Sequence, residues 1–335
     1  MDGVAMISPD EIGAWLGSPV VETIMRTGNL AVVHVLRLGD GRTVVVKARA
    51  AEERLAGCAF VHRHLWRAGF TCPELIAGPT RFGELALSAE IAVERGTGPV
   101  VGQVPGAGDG AVTSAPSDGR VASGPGNGQP GSGDGAARGP GAAEFSALLA
   151  RLIGMAPKVG ETPSLAPAPA WIRWYHDDGA IWPWPDDRDA DLHLVASWHD
   201  AAAVEVRRLL GRFGAEPVIG HCDFEAHNIW WRGDQPLAVH DWDSVVAEPE
   251  AVIVGVAAAM WPAGDGRLGA TVRESAEFLD GYQRARGRGF SGDEVRAAWA
   301  AGLWIRLFNA KKWALDGLDA LGQDEAEVRA HMAGL

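Results

Sequence analysis

The chain is 335 residues long, 47% hydrophobic, and carries 43 acidic against 30 basic side chains, a formal net charge of −13. That length allows a two-lobed enzyme with a sizeable core, the acidic balance argues against nucleic acid as a partner, and no apolar run reaches the length of a membrane span. The three cysteines, Cys58, Cys72 and Cys222, form no C-x-x-C pair, which argues against a disulfide framework or a zinc site and fits a reducing cytoplasm.

Ser8-Pro9-Asp10-Glu11 carries the signature of a helix start, with a capping hydroxyl, a proline suited to the first turn and a glutamate that completes a capping box. That helix is expected to end near Gly17. A strand over 20–25, a turn at Arg26-Thr27-Gly28-Asn29 and a second strand over 31–38 follow. Gly39-Asp40-Gly41-Arg42 is a hairpin turn into a third strand, 43–47, which is β-branched and ends in Lys47. Residues 52–67 read as a helix with Leu55, Ala59, Phe60, Leu65 and Trp66 as its apolar set, stopped by Gly69. Residues 72–76 lead into another strand, and 84–93 alternates as the last strand of this antiparallel group.

From Gly96 to Ala143 the chain is Gly, Ala, Pro and Ser with scattered charges, and it lacks aromatic residues, Leu, Ile and Met. Such a stretch buries too little apolar surface to offset the entropy of ordering. It is expected to be a disordered linker with a root-mean-square span of roughly 40 Å. It divides the chain into a β-rich part, 1–95, the insertion, 96–143, and a mainly helical part, 144–335.

The helical part opens with a helix over 143–155, with Phe145, Leu148, Leu149 and Leu152 on one side. Pro-rich sequence runs to Ala170. Trp171, Trp174, Trp182 and Trp184 then alternate with Asp177, Asp178, Asp186, Asp187, Asp189 and Asp191. Aromatic faces beside carboxylates suit cations or sugars, and the same residues equally suit packing and a solvated loop. A helix over 193–213 is expected next. Beyond residue 244, helices are expected at 251–260, 270–286, 291–315 and 324–332, the third opened by the capping box Ser291-Gly292-Asp293-Glu294. Trp299, Trp304, Leu307, Phe308 and Trp313 are assigned to core, and Arg306, Asn309 and Lys311 to the cleft or to solvent.

The chemistry concentrates in residues 219–244, IGHCDFEAHNIWWRGDQPLAVHDWDS. Two short strands, 229–231 and 237–239, are joined by the turn residues Arg232-Gly233-Asp234-Gln235-Pro236. This hairpin holds Asp223, Asn228 and Asp241 near one another, and their oxygens suit a hard divalent cation and a hydroxyl acceptor. The order His221-x-Asp223 and Asn228, then the strand-borne Asp241-Trp242-Asp243, resembles the catalytic loop and metal motif of the protein-kinase-like fold. The form is that of the aminoglycoside phosphotransferase and choline kinase family.

The resemblance implies a bilobal α+β fold, with a small antiparallel sheet lobe bearing one helix and a larger, mainly helical lobe. It implies transfer of the γ-phosphoryl group of ATP, with Mg²⁺, to a hydroxyl of a small molecule, an aminoglycoside or another amino-bearing sugar or alcohol. A kinase of the same fold acting on choline, homoserine, a macrolide or a plain sugar stays open, as does a nucleotide-binding module without turnover. On this resemblance Asp223 is the catalytic base, Asn228, Asp241 and Asp243 hold the metal, and His221 props the loop. Lys47 reaches the ATP phosphates, Gly28 and Asn29 stand where the phosphate-covering loop belongs, and residues 90–94 form the adenine-holding hinge. Glu225, Asp177 and Asp178 are candidates for substrate contact, and Cys222 is a small buried filler. One departure stands out. The family's helix glutamate, which pairs with the strand lysine, has no counterpart, because no acid occurs from Arg54 through Pro73 and only Glu52 and Glu53 are available, at the helix start.

Overall fold

The computed structural model describes residues 7–28, 31–93, 100–101, 140–175, 180–186, 189–194, 198–264 and 267–315. Ser8 caps α1 (Pro9–Leu16): its Oγ accepts the Glu11 N–H at 3.2 Å, and its own N–H donates to the Glu11 carboxylate at 2.8 Å. The apolar segments then build one antiparallel sheet from β1 (Val20–Gly28), β2 (Val32–Leu38), β3 (Thr43–Ala50), β4 (Leu75–Phe82) and β5 (Leu85–Ile91), in the order β1-β2-β3-β5-β4. Strand alternation decides what each face carries. One face buries Leu36, Leu38, Val44, Val46 and Leu87 with Ile12 of α1. The other face of β3 therefore presents Val45, Lys47 and Arg49.

Two strand ends near the site differ from the sequence reading. β1 continues through Arg26, Thr27 and Gly28, which pair with His34, Val33 and Val32, so the expected turn starts later. β3 runs on to Ala50, which adds Arg49 to the face that carries Lys47. Helix α2 (Arg54–Arg67) buries Leu55, Cys58, Ala59, Val61, His62 and Leu65. Phe60 and Trp66, expected in its apolar set, are 38% and 39% exposed. Its inner row includes a cysteine, a histidine and Arg54, which a search for apolar periodicity passes over.

The helical part holds α3 (Ala142–Met155), α4 (Trp198–Leu210), α5 (Glu250–Met260), α6 (Val272–Arg286) and α7 (Gly292–Leu315) around one large core. Helix α5 is buried all round, and its Gly255 lies so close to α7 that a Cβ there would overlap the Ala298 carbonyl. The helix expected from residue 193 begins at Trp198; residues 192–194 form a single 3-10 turn, and Leu194 is 84% exposed. Arg306 and Lys311 face neither cleft nor solvent. Both are buried, Arg306 donating to the Ala270 carbonyl and to Ser275 Oγ, and Lys311 meeting Asp200 Oδ1 at 2.8 Å. A basic residue is tolerated inside when such partners satisfy its donors.

Three smaller elements complete the site's scaffold. Strand β7 (Pro217–His221) pairs antiparallel with β10 (Val245–Pro249). Between them β8 (Ile229–Arg232) and β9 (Gln235–Val239) form the expected hairpin, with a tighter turn at Gly233-Asp234 and an irregularity at Trp230/Trp231. Strand β6 (Val100–Val101), inside the stretch read as linker, adds to β8. Residues 102–139 of that stretch and the helix expected at 324–332 lie outside the described residues. Among the described residues no helix is long and apolar enough to cross a membrane.

Candidate active site

The loop from β7 to β8 is held by its own side chains. The ring of His221, wholly buried, accepts the Asp223 N–H on Nδ1 at 3.2 Å, so Nε2 carries the proton and donates to the His240 carbonyl at 3.0 Å. Burial drives the imidazole below its ordinary pKa, which keeps this neutral tautomer. Asn228 donates from Nδ2 to the Asp223 carboxylate at 2.7 Å and to the Asp223 carbonyl at 3.0 Å. That fixes the rotamer of Asp223 and leaves the amide oxygen of Asn228 as an acceptor. Cys222 is buried, with its thiol on the Ser244 carbonyl at 2.9 Å, a structural position as expected of a small filler.

The second acidic motif follows β9. Asp241 adopts φ 63°, ψ 47°, the positive-φ region, and is alone in this among the described non-glycine residues. Such a conformation persists where its surroundings over-determine it. Here they do. The neighbouring Trp242 is buried, donates to the Val239 carbonyl at 2.9 Å, and stacks on His62 of α2 with ring centroids 4.9 Å apart. Ser244 Oγ donates to Asp241 Oδ2 at 3.1 Å.

Lys47 reaches across from β3 and places Nζ 2.8 Å from Asp241 Oδ1. Burial opposes the ammonium charge, but Asp241, Asp243 and Glu90 outweigh it and raise the pKa well above the usual lysine range. Burial alone would raise the Asp241 carboxyl; Lys47 reverses this and holds it far below the usual range. Asp243 goes the other way, raised by burial and by the neighbouring Asp241 charge. It pairs with Arg49 Nη1, and its Oδ1 is buried without a hydrogen-bond partner among the described residues.

No glutamate of α2 supports Lys47. Glu52, at the helix start, lies 3.6 Å from Arg49 instead. A further buried acid, Glu90 of β5, adds to the charge around Lys47 and lies 3.6 Å from His240 Nδ1. It pairs with Val45, so it faces the same side as Lys47. Burial would raise its pKa, but the neighbouring His240 and the Lys47 charge lower it, so a carboxylate is retained there. Glu90 was thus foreseen only as part of the hinge. His62 occupies the inward face of α2; burial pushes its pKa to about 4, and Nε2 sits 2.8 Å from the Pro73 carbonyl.

Lys47, Arg49, Asp241 and Asp243 line one cavity of about 370 Å³, with Thr27, Ala31 and Val33 on one wall and Trp171, Arg173 and Asp186 on another. Gly28 closes β1 opposite Val32, while Asn29, Asp177 and Asp178 lie outside the described residues. Glu225 is near Asp223 and 3.3 Å from His227 Nδ1; burial and the Asp223 charge raise its carboxyl well above the usual range. The candidate donors, the Asp241 and Asp243 carboxylates and the Asn228 amide oxygen, are all hard oxygens, and the lone pairs of Asp243 Oδ1 have no hydrogen-bond partner among the described residues. This set fits a divalent cation of the Mg²⁺ kind. The arrangement therefore combines a paired lysine and two carboxylates on one cavity with a carboxylate held in one rotamer on the β7–β8 loop, which are the parts that phosphoryl transfer uses.

Arg54 fastens these parts together. It is buried at the start of α2 and donates to the backbone carbonyls of Asp243 at 2.6 Å, Val245 at 2.8 Å and Leu165 at 3.4 Å. No sequence signal marks it, because its acceptors are main-chain atoms far along the chain.

No family model and no curated protein matches this chain. Solved structures do. The macrolide 2'-phosphotransferase MphH from Brachybacterium faecium is similar over 97% of each chain, with TM-score 0.53 and 15% identity. Spectinomycin phosphotransferase APH(9)-Ia, in complex with ADP and spectinomycin, is similar over 96% of this chain and 92% of that one, with TM-score 0.53 and 11% identity. Amicoumacin kinase hAmiN, in complex with AMP-PNP, Ca²⁺ and Ami, is similar over 95% of this chain and 86% of that one, with TM-score 0.51 and 8% identity. At such identities the likeness establishes the fold. The chain has the α+β, protein-kinase-like fold of the aminoglycoside phosphotransferases.

Proposed function

We propose that this protein is an ATP-dependent phosphotransferase that moves the γ-phosphoryl group to a hydroxyl of a small molecule, an aminoglycoside or another amino-bearing sugar or alcohol. The observation that carries the reading is the meeting of Lys47 with Asp241, 194 residues apart, beside an Asp223 locked by Asn228. The neighbours in fold, which carry the names macrolide, spectinomycin and amicoumacin phosphotransferase or kinase, support the acceptor class. Residues 1–95 act as the nucleotide-binding lobe and 144–335 as the catalytic and acceptor-binding lobe.

In this mechanism Asp223 accepts the proton of the acceptor hydroxyl as its oxygen bonds to the γ-phosphorus and the bond to the β,γ-bridging oxygen breaks. Asn228 holds the carboxylate at that angle, and His221 fixes the loop that carries it. Asp241, Asp243 and Asn228 would hold Mg²⁺, which supplies charge neutralisation along the phosphates. Lys47 exchanges its contact with Asp241 for phosphate oxygens. Glu225 and the Trp-rich segment are the first places to look for acceptor contacts.

The test is ADP release by purified protein with Mg²⁺ and ATP over a panel of aminoglycosides, macrolides, choline, homoserine and sugars. Acceptor-dependent ADP with an amino sugar supports the reading. Release with another class moves the assignment to that substrate. ATP binding without ADP from any acceptor would favour a nucleotide-binding module.

A further inference from the structure

The carboxylates of Asp241 and Asp243 are matched by two cations on β3, not one. Lys47 and Arg49 are two residues apart on a strand and so share a face. Lys47 meets Asp241 at 2.8 Å, and the guanidinium of Arg49 meets Asp243. All four line the same cavity of about 370 Å³. Arg49 is not used up by these contacts. Its Nη1 serves Asp243 and its Nη2 lies 3.6 Å from Glu52, while its Nε is buried with no partner among the described residues. A guanidinium has five donors in a planar fork that suits phosphate oxygens.

The register of β3 places Arg49 along the nucleotide axis. Val44 pairs with Ile91 at the end of β5 that leads to the hinge, Lys47 with Ser88, and Arg49 with Ala86. Arg49 is thus about 6–7 Å further from the hinge end than Lys47, at the usual strand rise. A triphosphate chain laid from the hinge past Lys47 brings its terminal group to Arg49. With a divalent ion bound, Asp241 and Asp243 would share their oxygens with it, and Lys47 and Arg49 would be free to turn toward the phosphates.

Resting on the phosphotransferase reading above, we propose that Arg49 is a second phosphate-binding cation, which contacts the terminal phosphoryl group and rests on Asp243 when no nucleotide is bound. It acts beside Lys47 and makes the site selective for triphosphate over diphosphate.

The test is calorimetric binding of AMP-PNP and of ADP, each with Mg²⁺, to the unaltered protein, Arg49→Gln and Arg49→Lys, with thermal melting to establish folding. Loss of a charge-assisted bond to the terminal group should weaken AMP-PNP binding to Arg49→Gln by about ten- to a hundredfold and leave ADP binding unchanged. Arg49→Lys keeps a charge on Asp243 but lacks the fork, so it should fold normally and lose part of the same preference. Either folded variant with the unaltered ratio of AMP-PNP to ADP affinity overturns the assignment of Arg49 alone. An unaltered protein that binds neither nucleotide overturns the phosphotransferase reading, and the Arg49 assignment with it.

Discussion

Arg54→Met should loosen α2 from the Asp241–Asp243 loop. In the structure the buried guanidinium supplies hydrogen bonds to three carbonyls, of Asp243, Val245 and Leu165, the first two at 2.6 and 2.8 Å. Each bond from a charged group is worth about 1.5–3 kcal/mol, so the two short ones amount to about 3–6 kcal/mol before compensation. Methionine replaces the hydrocarbon stem and removes the cost of burying a charge, which offsets part of that sum and leaves a net loss of about 3 kcal/mol. Urea unfolding followed by tryptophan fluorescence measures it, since a shifted midpoint at constant slope reports stability alone. Nucleotide affinity should fall as well, because the backbone of Asp243 loses its anchor while Lys47 is untouched. A loss under about 1 kcal/mol, together with full nucleotide affinity, refutes the assignment of Arg54 as the clamp between α2 and the site.

Three more perturbations probe separate parts of the molecule. Asp223→Asn should lower turnover by about 10²–10⁴-fold while nucleotide binding stays intact, and undiminished turnover removes Asp223 as the base. Glu248 is buried on β10 beside the Tyr175 hydroxyl at 3.1 Å, and burial raises its pKa from 4.5 to about 7. A carboxyl raised in the folded state contributes stability in full below its unfolded pKa, and that contribution is lost as pH rises through about 7. Glu248→Gln should therefore be the more stable protein at pH 8, by up to about 3 kcal/mol, with little difference at low pH; the same melting-temperature difference at both extremes contradicts this. Gly255→Ala forces a methyl into the Ala298 carbonyl and should cost about 3 kcal/mol, read as a lowered Tm, so an unshifted Tm rules out so close a crossing of α5 and α7.

Much of the site was legible in the chain because it is built locally. His221, Asp223 and Asn228 are joined through one loop, and the hairpin that follows carries Asp241 back beside them through nearest-neighbour pairing, Ile229 with Val239. Spacing of this kind is visible along a sequence. The capping boxes at Ser8 and Ser291 were legible for the same reason, as a hydroxyl and a carboxylate three residues apart. The helix set of α2 was read less well, since Phe60 and Trp66 are exposed while His62 and Arg54 face inward. Hydrophobicity ranks residues by their cost in water, and a histidine or arginine goes inside when the fold supplies its acceptors.

By itself the sequence determined most of the order of strands and helices and the acidic loop, all properties of neighbours along the chain. Tertiary structure decided what those residues face. It brought Asp241 to Lys47 and Asp243 to Arg49, each across 194 positions, and put Glu90 of β5 on the sheet face that carries Lys47. It buried Lys311 against Asp200 and tied Arg54 to main-chain carbonyls. A charge is acceptable inside a protein only beside its partner, and a partner so distant in sequence becomes a neighbour only when the chain has folded.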